Sequence, residues 1–325
     1  MTGLKLDPDY AEALEKTLSL LGDKPAVTPK VGDVEARRTA TNRSWPILVS
    51  QLPPTLDVEK THVGNVKSYD GYEVPLYRFA KKGESQSGSA PAIVYTHGGG
   101  YIGLSVELFS PVLAEYVSMS GVQIFAMDYR LSPEHSFPAP LEDCYAGLQY
   151  VHENATQFGI DPERIAIMGE SAGGGLCAGA AILARNRGLK LAKQLVINGS
   201  LDDRNIKPKS FPELQRFATC SIEDNITCWD AYLGPGHEFK NYIAPPAAPA
   251  RLENMSELAP LYLDVGALDI YRDEGIQYAM KVAKAGVEVE LHVYPGVPHS
   301  FEILCPRTKM AKLAMQNRVR AMGSF

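Results

Sequence analysis

The strongest constraint on the fold is an alternation. Short apolar runs of the kind that form fully buried strands recur at Ala92–Thr96, Val122–Met127, Arg164–Met168, Gln194–Asn198, Leu261–Val265 and Val287–Val293. Helix-patterned segments are interleaved with them at 140–156, 172–186, 271–285 and 307–322. Strands that are apolar on both faces need cover on both sides, and intervening helices supply it. The expected class is therefore α/β, with a mostly parallel sheet between two helical layers. With 325 residues, 45% of them hydrophobic, the chain can bury one large core of this type plus an addition.

Two stretches depart from the alternation. Ahead of it, Asp9–Leu21 and Val34–Val49 are helix-like, and Val63–Tyr69 and Glu73–Phe79 flank Asp70-Gly71, a hairpin signal. Within it, Asp202–Pro260 has no clear strand and is too long for a plain loop. Its aromatic residues, among them Phe211, Phe217, Trp229, Tyr232, Phe239 and Tyr242, argue against a solvated linker. A helical insertion over the sheet edge is expected there, lying with the N-terminal helices as a cap. The organisation reads as N-terminal cap helices at 1–55, core at 56–201, cap insertion at 202–255 and core again at 256–325.

Charge and cysteine usage narrow the function. A net charge of −6 favours neither nucleic acid nor an anionic membrane surface. No window has the apolar length of a membrane helix, and the first ten residues are too polar for a secretory leader, so a cytoplasmic protein is expected. Cys144, Cys177, Cys220, Cys228 and Cys305 lack any metal-ligand spacing and read as reduced, packed thiols.

Gly169-Glu-Ser-Ala-Gly173 follows one of the strand patterns and opens the next helix. In that setting a sharp strand-to-helix turn holds the central Ser171 in strained backbone at the helix N-terminus, above the sheet. Small neighbours are needed so that strand and helix can approach. A serine nucleophile requires a base. His299, in the stiff loop Tyr294-Pro-Gly-Val-Pro-His299 after the last strand, is the best placed of seven histidines. The base requires a carboxylate, and Asp269 follows the preceding strand. Asp264 lies within that strand, too early. Asp273 and Glu274 suit the first turn of a helix. The chain order Ser171, Asp269, His299 is nucleophile, acid, base.

The run His97-Gly-Gly-Gly100 follows a buried strand. Three consecutive glycines cost backbone entropy, and donors turned toward an oxyanion would justify it. The N–H groups of Gly99, Gly100 and Ala172 are the expected donors. His97 is expected to brace the loop, and Glu170 to be a supporting residue next to the nucleophile, not one that reacts. Tyr101, Phe109, Phe211, Phe217 and Trp229 are candidates for an apolar substrate pocket.

Six blocks in fixed order then make the chain resemble the hormone-sensitive-lipase-like esterases of the α/β-hydrolase superfamily. They are His97–Gly100, Asp128–Glu134, Phe137–Asp143, Gly169–Gly174, Asp269–Gly275 and His299–Phe301. The resemblance implies an eight-stranded sheet, a helical cap, no cofactor, and hydrolysis of short- to medium-chain carboxylic esters. It also allows a homodimer through the last strand. The same machinery would serve lactones, carbamates, amides or the acetyl group of a secondary metabolite. A ligand receptor on the same scaffold is the alternative of a different class.

Overall fold

The computed structural model describes residues 3–22, 29–83, 89–206, 212–237, 240 and 243–325. Among the described residues, eight strands form one sheet in the order β1-β2-β4-β3-β5-β6-β7-β8. β1 (Val58–Lys67) and β2 (Glu73–Lys81) are antiparallel, with Gly71 at φ 83° in the turn between them. β2 also runs antiparallel to β4 (Gln123–Met127). From there to the far edge every pairing is parallel, through β3 (Ala90–Thr96), β5 (Ile160–Glu170), β6 (Lys193–Ile197), β7 (Leu261–Gly266) and β8 (Val289–Tyr294). The central strands are buried on both faces, which is why they read as continuous apolar runs.

Helices cover both faces. α4 (Ala139–Glu153), α5 (Ala172–Asn186) and α8 (Arg272–Lys284) pack on one core cluster with Val94, Ile167 and Leu263. α3 (Val106–Ser120) and α10 (Lys309–Met322) pack on the other, with Ile93, Met168 and Tyr262. α3 has no counterpart among the helices read from the sequence. Its buried residues Val106, Phe109, Val112, Leu113, Tyr116 and Val117 recur at helical spacing, but Pro111 lies inside the helix, where a proline ordinarily reads as a breaker.

The N-terminal helices are α1 (Pro8–Leu21) and α2 (Val34–Val49), capped by Asp7 and Asp33. Trp45 of α2 is buried and donates its indole N–H to the Leu108 carbonyl at 2.8 Å. In the 202–260 stretch lie α6 (Pro212–Gln215), α7 (Ile222–Leu233) and a short 3-10 turn at Pro249–Arg251. α7 begins with a capping box formed by Ser221 and Asp224. Arg37 of α2 donates to Asp224 at 2.8 Å, tying the N-terminal helices to α7. Among the described residues no helix is long and apolar enough to cross a membrane.

Candidate active site

Strand β5 ends in the serine turn. Ser171 has φ 56° and ψ −122°, a region that costs a non-glycine residue about 1–3 kcal/mol. Backbone hydrogen bonds hold it there: its N–H donates to the Ile197 carbonyl at 2.9 Å, and its carbonyl accepts from Ser200 at 3.0 Å. The helix that follows must come very close to β3. A β-carbon at Gly173 would run into the carbonyls of Thr96 and His97, so only glycine fits.

The loop after β8 carries His299, and the loop after β7 carries Asp269. The two loops are stitched together by Ala267 N–H to the Tyr294 carbonyl at 2.7 Å and Leu268 N–H to the Val297 carbonyl at 3.0 Å. His299 Nε2 lies 2.9 Å from Ser171 Oγ, and His299 Nδ1 donates to Asp269 Oδ2 at 2.8 Å. Asp269 Oδ1 accepts the Tyr271 N–H at 2.9 Å, so both carboxylate oxygens are engaged. The carboxylate is 1% exposed and is kept from water. Burial alone would push the His299 imidazole down. The charge and hydrogen bond of Asp269 outweigh it and hold the ring above its ordinary value. The structure thus brings together Ser171, His299 and Asp269, with 128 positions between the first pair and 30 between the second.

Further contacts clamp the histidine loop. Thr219, between α6 and α7, donates its hydroxyl to the His299 carbonyl at 2.7 Å. The Tyr271 ring meets the imidazole edge-on at 5.1 Å between centroids. Asp7 N–H, just before α1, donates to the Gly296 carbonyl at 2.8 Å. No sequence motif points to these contacts.

The glycine loop faces the serine. Gly99 and Gly100 have φ 118° and 64°, which turn their backbone out of the usual range. Among the described residues, the N–H groups of Gly99, Gly100 and Ala172 donate to no protein acceptor. His97 lies beneath the loop, 1% exposed, stacked on Tyr129 at 4.2 Å with 17° between the planes. Its Nδ1 bonds the Gly98 carbonyl at 2.7 Å, and burial keeps the ring below its ordinary pKa. The imidazole is thus wedged between the loop and Tyr129.

Glu170 points away from the serine into a buried ionic cluster. It accepts the Tyr116 hydroxyl at 2.8 Å. Tyr116 in turn accepts from Arg318 Nη1 at 3.2 Å. Arg318, fully buried on α10, pairs with Asp264 at 2.7 and 2.9 Å and with Glu302 at 2.9 Å. Burial first, and the Glu302 charge second, push Glu170 up to about 7. The cluster joins the serine turn to α9 (Phe301–Leu304), the short helix directly after His299.

The pocket candidates fare differently. Tyr101, Phe109 and Trp229 are at most 1% exposed, so they support the site and do not line an open pocket. Tyr101 stacks on Tyr232 at 4.3 Å, Trp229 packs against both rings, and Phe109 packs on Trp45 at 4.6 Å. The physical reason is simple: rings this large are most useful in holding the cap to the core. Phe217 is half-buried against Leu214, Leu268, Ile270 and Tyr271, under the Arg216 guanidinium. Phe211 lies outside the described residues. The residue that does sit over the glycine loop is Cys228 of α7, whose sulfur a β-carbon at Gly100 would strike.

A hydroxyl, an imidazole and a carboxylate in line, facing free amide donors at a strand-to-helix turn, call for comparison with known proteins. A family model described as "alpha/beta hydrolase fold" matches residues 93–303. The chain belongs to that family. Carboxylesterase NlhH of Mycobacterium tuberculosis is 32% identical over 256 residues, covering 77% of each chain. Esterase LipI of the same organism is 33% identical over 214 residues, 65% of this chain and 66% of LipI, just under two thirds of that relative. Among solved structures, a bacterial heroin esterase superimposes with TM-score 0.87 at 31% identity, covering 98% of this chain and 97% of its own. These likenesses put the chain among the hormone-sensitive-lipase-like carboxylesterases of the superfamily.

Proposed function

We propose that the protein hydrolyses carboxylic esters of short to medium acyl chain through an acyl-enzyme on Ser171. The observation that carries this is the continuous line from Ser171 Oγ through His299 to Asp269, both links below 3.0 Å. Ser171 Oγ bonds to the ester carbonyl carbon as its proton passes to His299 Nε2. The carbonyl oxygen becomes an oxyanion received by the N–H groups of Gly99, Gly100 and Ala172. Asp269 stabilises the imidazolium. The C–O bond to the alcohol then breaks as His299 returns the proton to the leaving oxygen. Water repeats the sequence on the acyl group, releasing the acid and restoring Ser171. No step calls for a cofactor.

The strained serine conformation and the tightly bonded acid are prepared before substrate arrives, so little reorganisation is needed at the barrier. A small-molecule ester is the natural partner, and the net charge of −6 gives no purchase on nucleic acid or anionic membranes. The setting is cytoplasmic: the five cysteines are free thiols, the form a reducing compartment maintains. A homodimer would use β8, an edge strand with Leu291 and Val293 more than a third exposed. The test is turnover of p-nitrophenyl acetate and butyrate by the wild type beside Ser171→Ala. The variant should fold normally and lose turnover. Retention of most activity would overturn the proposal.

A further inference from the structure

The glycine loop is a closed turn that needs outside support. The Gly99 carbonyl accepts the N–H groups of Ile102 and Gly103 at 3.1 and 3.0 Å. Tyr101 and Leu104 both sit at positive φ, 63° and 65°, a region that residues with side chains rarely adopt. Gly99 and Gly100 meet no such barrier, so their peptide planes turn easily and can carry their N–H groups away from the serine. A strained turn next to two permissive residues persists only when its surroundings over-determine it.

Those surroundings are one face of α2. Arg38, Asn42 and Trp45 stand at the spacing of successive helical turns, and each bonds the segment 102–108. Arg38 Nε donates to the Ile102 carbonyl at 2.6 Å, and the Leu104 N–H donates to Asn42 Oδ1 at 3.3 Å. The Arg38 stem packs over Gly103. Its guanidinium is anchored in turn. Nη1 and Nη2 donate to the two carboxylate oxygens of Glu134 at 2.8 Å each, and Nη2 also to the Ser132 carbonyl at 3.1 Å. Ser132 closes the circle, its own N–H donating to the Tyr101 carbonyl at 2.8 Å. Two successive carbonyls of the loop, Tyr101 and Ile102, are therefore fixed from outside it.

We propose that Arg38 is a positioning residue for the oxyanion donors. It pins the turn 99–103, so that the N–H groups of Gly99 and Gly100 stay aimed at the oxygen on which charge develops. This deepens the esterase proposal and rests on it. Arg38 acts through the Ile102 carbonyl and reaches neither serine nor substrate. Lysine is a poor substitute, because one ammonium lacks the planar fork that serves Ile102, Ser132 and Glu134 together.

The test is turnover of p-nitrophenyl butyrate per site titrated with a fluorophosphonate, for the wild type, Arg38→Met, Arg38→Lys and Arg37→Met. Arg38→Met keeps an apolar stem over Gly103 and removes every donor. Losing a whole oxyanion donor costs about 10²–10³ in kcat, so donors left free to turn should cost roughly 10- to 100-fold, with little change in KM. Affinity for a trifluoromethyl ketone, whose adduct on Ser171 carries an oxyanion, should fall in parallel. Arg38→Lys should lie between wild type and Arg38→Met. Arg37 is the comparison. It ties the same helix to Asp224 of α7 and to the carbonyls of Pro29, Lys30 and Asp33, and among the described residues it donates to nothing in the glycine loop. Arg37→Met should lower the urea midpoint and keep kcat within about threefold of wild type. A kcat for Arg38→Met within about threefold of wild type, an unchanged ketone affinity, or an equal loss of kcat in Arg37→Met would each overturn the role. If Arg38→Met does not fold, Arg38→Lys decides by the same limits. A wild type that neither turns over esters nor takes up the fluorophosphonate would overturn the esterase proposal, and this role with it.

Discussion

Asp269→Asn separates the shape of the site from its charge. The two carboxylate oxygens receive two donors, Tyr271 N–H at 2.9 Å and His299 Nδ1–H at 2.8 Å. An asparagine has one acceptor oxygen and one NH2 donor. The backbone N–H of Tyr271 cannot reverse its polarity, so the amide oxygen must face it. The NH2 group then faces Nδ1, which can only accept. The ring is forced into the tautomer that carries its proton on Nε2, toward Ser171 Oγ. A base that already holds the proton cannot take one. The site is 1% exposed at Asp269, so water offers no alternative acceptor. The analogous change in a serine protease costs on the order of 10⁴ in kcat, and the same reasoning applies here. The assay is kcat for p-nitrophenyl butyrate near neutral pH, paired with ¹⁵N NMR of the imidazole to read the tautomer. A variant within tenfold of wild type, or one whose resting histidine keeps its proton on Nδ1, would refute the argument.

Other expectations follow from neighbouring features. His299 must be neutral to act, and its pKa is held above 6.5 in the free enzyme, so kcat/KM should fall as pH drops through a midpoint above 6.5. A profile flat well below that value would contradict the assignment of base. Gly173→Ala puts a methyl group against the Thr96 and His97 carbonyls and should destabilise by roughly 1–3 kcal/mol, measured by urea unfolding. Arg318→Met leaves Asp264 and Glu302 without their buried cation and should cost roughly 3–5 kcal/mol, again by urea unfolding. A midpoint unchanged from wild type would show that the cluster is not a net contributor.

How much of this was legible in the chain depends on range. The strand alternation and the serine turn are local patterns set by burial on both faces and by steric need for glycine, so β3 to β8 and Ser171 could be read directly. His299 and Asp269 were found because each follows a strand whose position in a parallel sheet is set by the pattern. The helix α3 was not, because Pro111 inside the segment reads as a helix breaker although the buried residues around it keep a helical period. The Arg318 cluster was not either: Asp264, Glu302 and Arg318 come from three elements and carry no shared spacing. The aromatic residues assigned to a pocket illustrate the same limit. Sequence marks Tyr101 and Trp229 as large and apolar, but only packing shows that they face each other and not a ligand.

The most direct test is covalent. A fluorophosphonate should add one phosphonyl group to the wild-type chain by intact mass, peptide mapping should place it on Ser171, and Ser171→Ala should take up none. Attachment at another residue, or a folded wild-type chain that stays unlabelled, would contradict the account.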